Sequence, residues 1–297
     1  MKSIKHKKKL DQIFKYIVFG FTTLSIIALI AILFFTLIKA LPLFKEVNII
    51  SFITGTQWSP TSGKYGILPF ILASILTTLA AVLIGIPVGL YTAVFISDIA
   101  PKKIGQFVLF VVEILSAIPS VVYGFFGLTI IVPIVQKIFM LKSGSTLLSA
   151  SIILALMVLP TVVSLSVSSL QAVPNAVVEG SLALGATKIQ TIFKTKVQYA
   201  KSGIFASFLL GIGRALGETM AVILVAGNSN MMPKINEFLN VYLYGGRTLT
   251  GNIVMELAYA SGMHESALFA TGVVLFIFVS IINLVIMVIK RIGVTQV

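Results

Sequence analysis

Six long apolar stretches, separated by polar segments, make up most of the chain: residues 16–38, 67–97, 105–135, 147–169, 203–226 and 267–289. A helix needs about 20 apolar residues to cross a hydrocarbon core, and each stretch meets that length. The pattern predicts an all-α polytopic membrane protein with six transmembrane helices. The second and third stretches are long enough to tilt, kink or project. Pro87, in Gly85-Ile-Pro-Val-Gly89, and Pro119, in Ala117-Ile-Pro-Ser120, mark the expected kinks, because proline removes a backbone hydrogen bond.

Composition supports lipid as the solvent. The chain is 58% hydrophobic and 10% charged, with a mean hydropathy of +1.07, whereas soluble domains carry about 25% charged residues. The net charge of +13 does not point to nucleic acid, because the basic residues are spread over the tail and loops. In a membrane protein such an excess reports orientation. The absence of cysteine excludes disulfides, thiolate metal sites and cysteine nucleophiles.

Residues 1–15 form a basic tail with Lys2, Lys5, Lys7, Lys8, Lys9 and Lys15. The apolar run that follows, Tyr16 to Ile38, exceeds the roughly 7–15 residues of a signal-peptide core. Lys39-Ala-Leu-Pro42 is also a poor cleavage site, so an uncleaved first transmembrane helix is expected. With the N-terminus inside, the inner segments hold twice as many basic residues as the outer ones. Inside lie the tail, Lys102, Lys103, Lys188, Lys194, Lys196, Lys201, Lys290 and Arg291; outside lie Lys39, Lys45, Lys64, Lys137, Lys142, Lys234 and Arg247. N- and C-termini are therefore expected to be cytoplasmic. The divisions are 1–15, a first helix with its outer loop over 16–66, a core over 67–290, and a C-terminal tail over 291–297.

Two outer segments, 39–66 with the single Trp58 and 227–266, are long enough to favour a partner surface over a plain connector. Within the second, Ile253–Tyr259 is expected to form a short helix at the surface. On the cytoplasmic side, about 170–202 is long, basic and helically spaced, which suits docking better than linking.

Three ionisable residues fall inside the expected spans: Glu113, Arg214 and Glu218. Each charge near a helix centre costs about 2.5–3.5 kcal/mol on the insertion scale, and such residues usually face a bundle interior or an aqueous path. Arg214 and Glu218 stand at i, i+4 and are expected on one helix face. Glu113 and Arg214 lie at depths of about 12 and 16 Å at 1.5 Å per residue, so they are expected to face each other. Two readings stand: Arg214 lines a path for an oxyanion, which its fork of donors suits, or the three form a structural ion pair. Small residues recur every fourth position at Gly203, Ser207 and Gly211, and at Gly213, Gly217 and Ala221, as close-packed membrane helices require. Two histidines, His6 and His264, are too few for a histidine-based metal site. No G-x-x-x-x-G-K-[ST] phosphate loop is present, so any ATP must be bound by another chain.

At the cytoplasmic loop, Glu179-Gly180-Ser181 followed by Leu184-Gly185-Ala186 resembles the Glu-Ala-Ala loop of ABC-importer permeases. Val197-Gln198 stands where that loop ends in Leu-Pro, a departure affecting the turn before the fifth span. Gly213-Arg-Ala-Leu-Gly-Glu-Thr-Met-Ala-Val222, Ile118-Pro-Ser-Val-Val-Tyr-Gly124, Arg247-Thr-Leu-Thr250 and Ser266-Ala-Leu-Phe269 resemble the PstC-type permeases of phosphate importers more narrowly. The resemblance covers about residues 66–290. It implies a type I ABC-importer permease fold and a transport subunit rather than an enzyme. It also implies a PstA-type permease partner, two ATPase subunits holding ATP and Mg, an extracytoplasmic phosphate-binding protein, and a bacterial cell membrane location. Glu179, Gly180, Ser181, Leu184, Gly185 and Ala186 would then form the ATPase-coupling loop. Glu179 is read near a helix start, where its charge favours the positive end. The other readings are a permease for sulfate or molybdate, a stand-alone secondary transporter or channel, and a structural membrane scaffold. No internal repeat of the kind common in secondary transporters is evident.

Overall fold

The computed structural model describes residues 2–233 and 240–294. Lys234 and residues 295–297 of the expected outer loop and C-terminal tail lie outside the described residues. So do the side chains of Lys2, Lys5, Lys7, Lys8, Lys9, Lys290 and Arg291.

The chain runs through α1 (Lys2–Glu46), α2 (Ile49–Thr54), a hairpin of β1 (Trp58–Ser59) and β2 (Lys64–Tyr65), and α3 (Leu68–Val94), which continues as a π-turn over Phe95–Ile99. Next come α4 (Lys102–Ala117), α5 (Ser120–Phe126), a π-turn over Gly127–Ile131, α6 (Val132–Ile138) and α7 (Leu147–Gln171). The following loop holds α8 (Asn175–Ala183), α9 (Lys188–Gln190), a π-turn over Thr191–Lys196 and α10 (Val197–Tyr199). The chain then completes α11 (Lys201–Gly217), α12 (Met220–Val225), α13 (Leu249–Glu256) and α14 (Met263–Val294).

Among the described residues, five helical stretches are long and apolar enough to span a membrane: Phe14–Glu46, Leu68–Ile99, Ser120–Ile138, Leu147–Gln171 and Met263–Val285. The expected span 203–226 is instead divided into α11 and α12 by Glu218 and Thr219. The expected span 105–135 is divided at Ile118 and Pro119, so Pro119 ends a helix rather than kinking it. α3 runs through Pro87 without ending there.

α3, α7 and α11 form the centre, and small residues let them approach. A Cβ on Gly89 would lie 2.8 Å from Val162, one on Gly203 2.2 Å from Ser169 Oγ, and one on Gly211 2.9 Å from Val158. Ser207 makes a buried hydroxyl pair with Ser166 at 2.9 Å. The run Gly203, Ser207, Gly211 is thus the seam with α7. The other run behaves differently: Cβ atoms on Gly213 and Gly217 would meet nothing within 4 Å. α1 lies against α14 through Phe35 and Phe269, 5.8 Å apart edge to face, and through Lys39 and Glu265 at 3.2 Å. Further back, Phe14, Phe19, Leu24, Ile30 and Phe34 are more than half exposed in the single chain, as suits a lipid-facing helix.

Candidate functional site

Two interruptions of helical backbone meet inside the bundle. Proline at 119 disfavours the helical region for the residue before it, and Ile118 is extended at φ −67°, ψ 127°. The carbonyls freed at the end of α4 need partners; Tyr123 supplies one by donating its hydroxyl to the Leu115 oxygen at 2.8 Å. Glu218 is likewise extended, at φ −72°, ψ 129°. Its side chain turns forward and accepts from the Ala221 N–H at 3.2 Å, serving the start of α12. The two restarted helices touch, since a Cβ on Gly124 of α5 would lie 2.8 Å from the Ala221 Cα of α12. Non-helical backbone at membrane depth is tolerated only where protein buries it or where it lines a wet cavity. An apolar cavity of about 420 Å³, lined by Leu115, Ile118, Tyr123, Phe126, Leu156 and Leu159, flanks the break at Ile118.

Arg214 stands in the last turn of α11, just before the break, where a cation complements the helix dipole. It is half-buried, and its Nη1 donates to Thr161 Oγ1 of α7 at 3.2 Å. It also lies within electrostatic reach of Tyr123. Among the described residues, no carboxylate is within ion-pairing distance of Arg214. The i, i+4 geometry with Glu218 is lost because the helix ends at Gly217, one residue before it. Glu113 is exposed on α4 and is not brought to Arg214 either. Thr161 escaped the sequence reading; a threonine just after Pro160 in a buried span was its only signal.

The loop between α7 and α11 is built from local signals. α8 begins after Pro174, so Glu179 sits a turn inside it rather than at its start, and the dipole role read for it does not apply. Gly185 ends α8 in the left-handed region at φ +88°. Its N–H bonds to the Leu182 oxygen at 2.9 Å and that of Ala186 to the Ser181 oxygen at 3.3 Å, a Schellman turn. Thr187 and Gln190 then form a reciprocal capping box that starts α9. Ser181 Oγ lies 3.1 Å from both Thr191 Oγ1 and Thr195 Oγ1, tying the two sides of the turn. The tip is left apolar and bare: Leu184 is 91% exposed and Ile189 67%. Gly180 and Gly185 have open space where a Cβ would stand. Gln198, at the Leu-Pro position of the resemblance, is accommodated in α10, and the chain turns at Ala200 without a proline.

The model of the binding-protein-dependent transport system inner membrane component family matches residues 85–294. The chain belongs to this family. The family match takes in both breaks, Arg214 and the Gly185 turn. Among relatives, the probable ABC transporter permease protein YqgH of Bacillus subtilis is 36% identical over 292 residues, covering 95% of this chain and 93% of the relative. The phosphate transport system permease protein PstC of Xylella fastidiosa (strain 9a5c) is 35% identical over 248 residues, covering 77% and 74%. Among solved structures, the permease fold is shared with a bacterial alginate ABC transporter (TM-score 0.66, 15% identity, covering 93% of this chain and 95% of that one). It is shared also with the inward-facing MetNI methionine ABC transporter (TM-score 0.60, 19% identity, 80% and 99%). The fold is that of type I ABC-importer permeases, and the chain is a multi-pass inner-membrane permease subunit.

An ion pair joins this permease's loop to its core. Asp98, in the π-turn after α3, pairs with Lys196, in the π-turn before α10, at 2.5 Å, and both side chains are nearly buried. π-Turns insert a residue and re-aim side chains, which brings these two together although 98 positions separate them. The sequence reading took Lys196 only as an orientation charge and did not single out Asp98. Removing one partner of a buried pair strands the other charge. Asp98→Ala is therefore expected to destabilise the protein by about 3 kcal/mol, read as a lowered thermal midpoint in detergent, with the double variant Asp98→Ala/Lys196→Met less affected than the single one. Equal midpoints for wild type and Asp98→Ala would show that the pair contributes nothing.

Proposed function

We propose that the chain is the PstC-like permease subunit of an ATP-driven phosphate importer, forming half of the translocation path. The observation that carries it is Arg214: a half-buried guanidinium beside two backbone breaks, held by Thr161 and matched by no carboxylate among the described residues. Thr161 takes one of the five N–H donors of the fork, and the others suit the oxygens of a tetrahedral oxyanion. Phosphate is favoured over other oxyanions by the PstC relatives, of which the one from Haemophilus influenzae covers 97% of this chain at 29% identity.

The second permease would be PstA-type. It would close the path from across the gap, so that the open side of this chain, where Gly213 and Gly217 face nothing and Glu113 is exposed, lines the space between the two permeases. Of two ATPase subunits, which would hold ATP and Mg, one docks on this chain's loop over residues 179–191, with Leu184 and Ile189 as apolar anchors. The phosphate-binding protein docks at the opposite end, on the hairpin and residues 227–266. Both termini are then cytoplasmic. ATP closes the ATPases, the loop moves, and the breaks at 118–119 and 218–219 supply the points where helices shift. Such transmission requires an element with two positions that ATP biases.

Competition tests the substrate. In cells lacking other phosphate uptake, co-expression with the partner subunits should give phosphate uptake that tenfold excess sulfate or molybdate leaves near its starting rate. Inhibition by sulfate or molybdate equal to that by unlabelled phosphate would move the assignment to a different oxyanion.

A further inference from the structure

At the end of the bundle opposite the α8 turn, one carboxylate holds three segments together. Glu256 is only 7% exposed. It accepts from Trp58 Nε1 at 2.8 Å and from Arg247 Nη1 at 2.5 Å, and lies 2.8 Å from His264 Nε2. Trp58 belongs to the hairpin, Arg247 to the turn before α13, and His264 to the start of α14. Arg247 also donates to Asn252 Oδ1 at 3.0 Å and to the Asn228 oxygen at 3.3 Å. Asn228 in turn donates its amide to the Ile223 oxygen of α12 at 2.7 Å. A buried carboxylate with this many partners is unlike a solvated loop charge.

The other end of α13 reaches the break itself. Thr250 Oγ1 donates to the Glu218 carbonyl oxygen at 3.3 Å, and the Leu249 N–H donates to Ser74 Oγ of α3 at 3.0 Å. α13 has 8 residues, about 12 Å of helix. It runs from a contact with the interrupted backbone beside Arg214 to the Glu256 hub. Beyond the hub lies an open polar cleft of about 430 Å³, lined in part by Gln57, Trp58, Lys64, Asn230 and Met231. Trp58 thus belongs to both cleft and hub, and its carbonyl accepts from Asn230 Nδ2 at 3.3 Å.

We propose that α13 is a lever between this cleft and the backbone break at Glu218, with Glu256 and Thr250 as its positioning residues. The functional meaning rests on the reading of the break as part of the phosphate path. A phosphate-binding protein seated on the exposed Gln57, Lys64 and Met231 would shift the hairpin and, through the buried Trp58, the Glu256 hub. The short helix carries that displacement to the Glu218 carbonyl and so to the turn that presents Arg214.

The chain has no cysteine, so a single one reports on the break. Gly217→Cys is suitable, because a Cβ there meets nothing within 4 Å. The full chain, in complex with its partner subunits in lipid nanodiscs, is labelled with a charged maleimide. Thr250→Val removes the hydroxyl at near-constant shape, Thr250→Ser keeps it, and Glu256→Gln removes the charge. Thr250→Val and Glu256→Gln are each expected to change the labelling rate by at least about threefold, the loss of one hydrogen bond, and Thr250→Ser to restore it. Phosphate-loaded binding protein should change the rate in the parent and not in Thr250→Val. Equal rates in all variants, or Thr250→Ser behaving as Thr250→Val, would overturn the lever. Rates that respond to the substitutions but never to phosphate-loaded binding protein would support the lever and count against the phosphate reading.

Discussion

Arg214→Ala is expected to lower phosphate uptake by at least about tenfold while the complex still assembles. The estimate follows from losing a charge-assisted hydrogen bond to the anion, worth about 1.5–3 kcal/mol. Assembly should survive because the arginine has no carboxylate partner to strand: among the described residues its side-chain bond is to the neutral Thr161 hydroxyl of α7. A structural ion pair would behave in the opposite way, with loss of either partner reducing the amount of folded protein. Arg214→Lys retains charge but not the planar fork, so an intermediate rate is expected. Initial rates of labelled phosphate uptake, normalised to the amount of assembled complex, provide the measurement. Uptake unchanged in Arg214→Ala would remove Arg214 from the path.

The second large effect belongs to Gly185. At φ +88° an L side chain is strained whatever the space, by about 1–2 kcal/mol. Gly185→Val should therefore undo the Schellman turn, shifting Leu184 and the capping box at Thr187 relative to α8. The expected outcome is uncoupling: ATP hydrolysis by the assembled complex continues, while uptake falls about tenfold or more, as for a docking contact worth over 1.4 kcal/mol. Gly185→Asn is the control, since asparagine tolerates the left-handed region, and it should retain more coupling than valine does. If Val and Asn variants transport equally well per ATP hydrolysed, the turn geometry is not what couples.

The uninterrupted spans and the Gly185 turn were the most legible parts. Apolar length alone marks α3, α7 and α14, and Gly185 followed by Thr187 and Gln190 writes a helix stop and a helix start in adjacent residues. Pro119 was visible as a disturbance, although proline chemistry does not say whether a helix bends or ends. The break at Glu218 was not visible. Apolar residues continue on both sides, and helical spacing assumed through Gly217 made Arg214 and Glu218 neighbours when the extended backbone turns Glu218 toward Ala221.

The outer end was least legible. Ile253–Tyr259 was expected as a surface helix, but α13 spans Leu249–Glu256 and buries Leu249, Gly251, Asn252 and Glu256. That burial is created by α14, α3 and α12 packed around α13 and, at Glu256, by Trp58 of the hairpin 198 positions away, and a local pattern carries no trace of it. The spacing of Asn252 and Glu256 at i, i+4 after Arg247 was the available hint. Asp98 and Lys196 were hidden for the same reason, each sitting in a π-turn that helical periodicity does not register.

The decisive measurement is phosphate uptake into proteoliposomes holding this chain with its second permease and ATPase subunits, with phosphate-binding protein added outside the membrane face that carries the hairpin. Uptake that requires both ATP and the binding protein, and that disappears when either is withheld, is the expected result. Phosphate flux from this chain alone, indifferent to ATP, would contradict the assignment as an importer subunit.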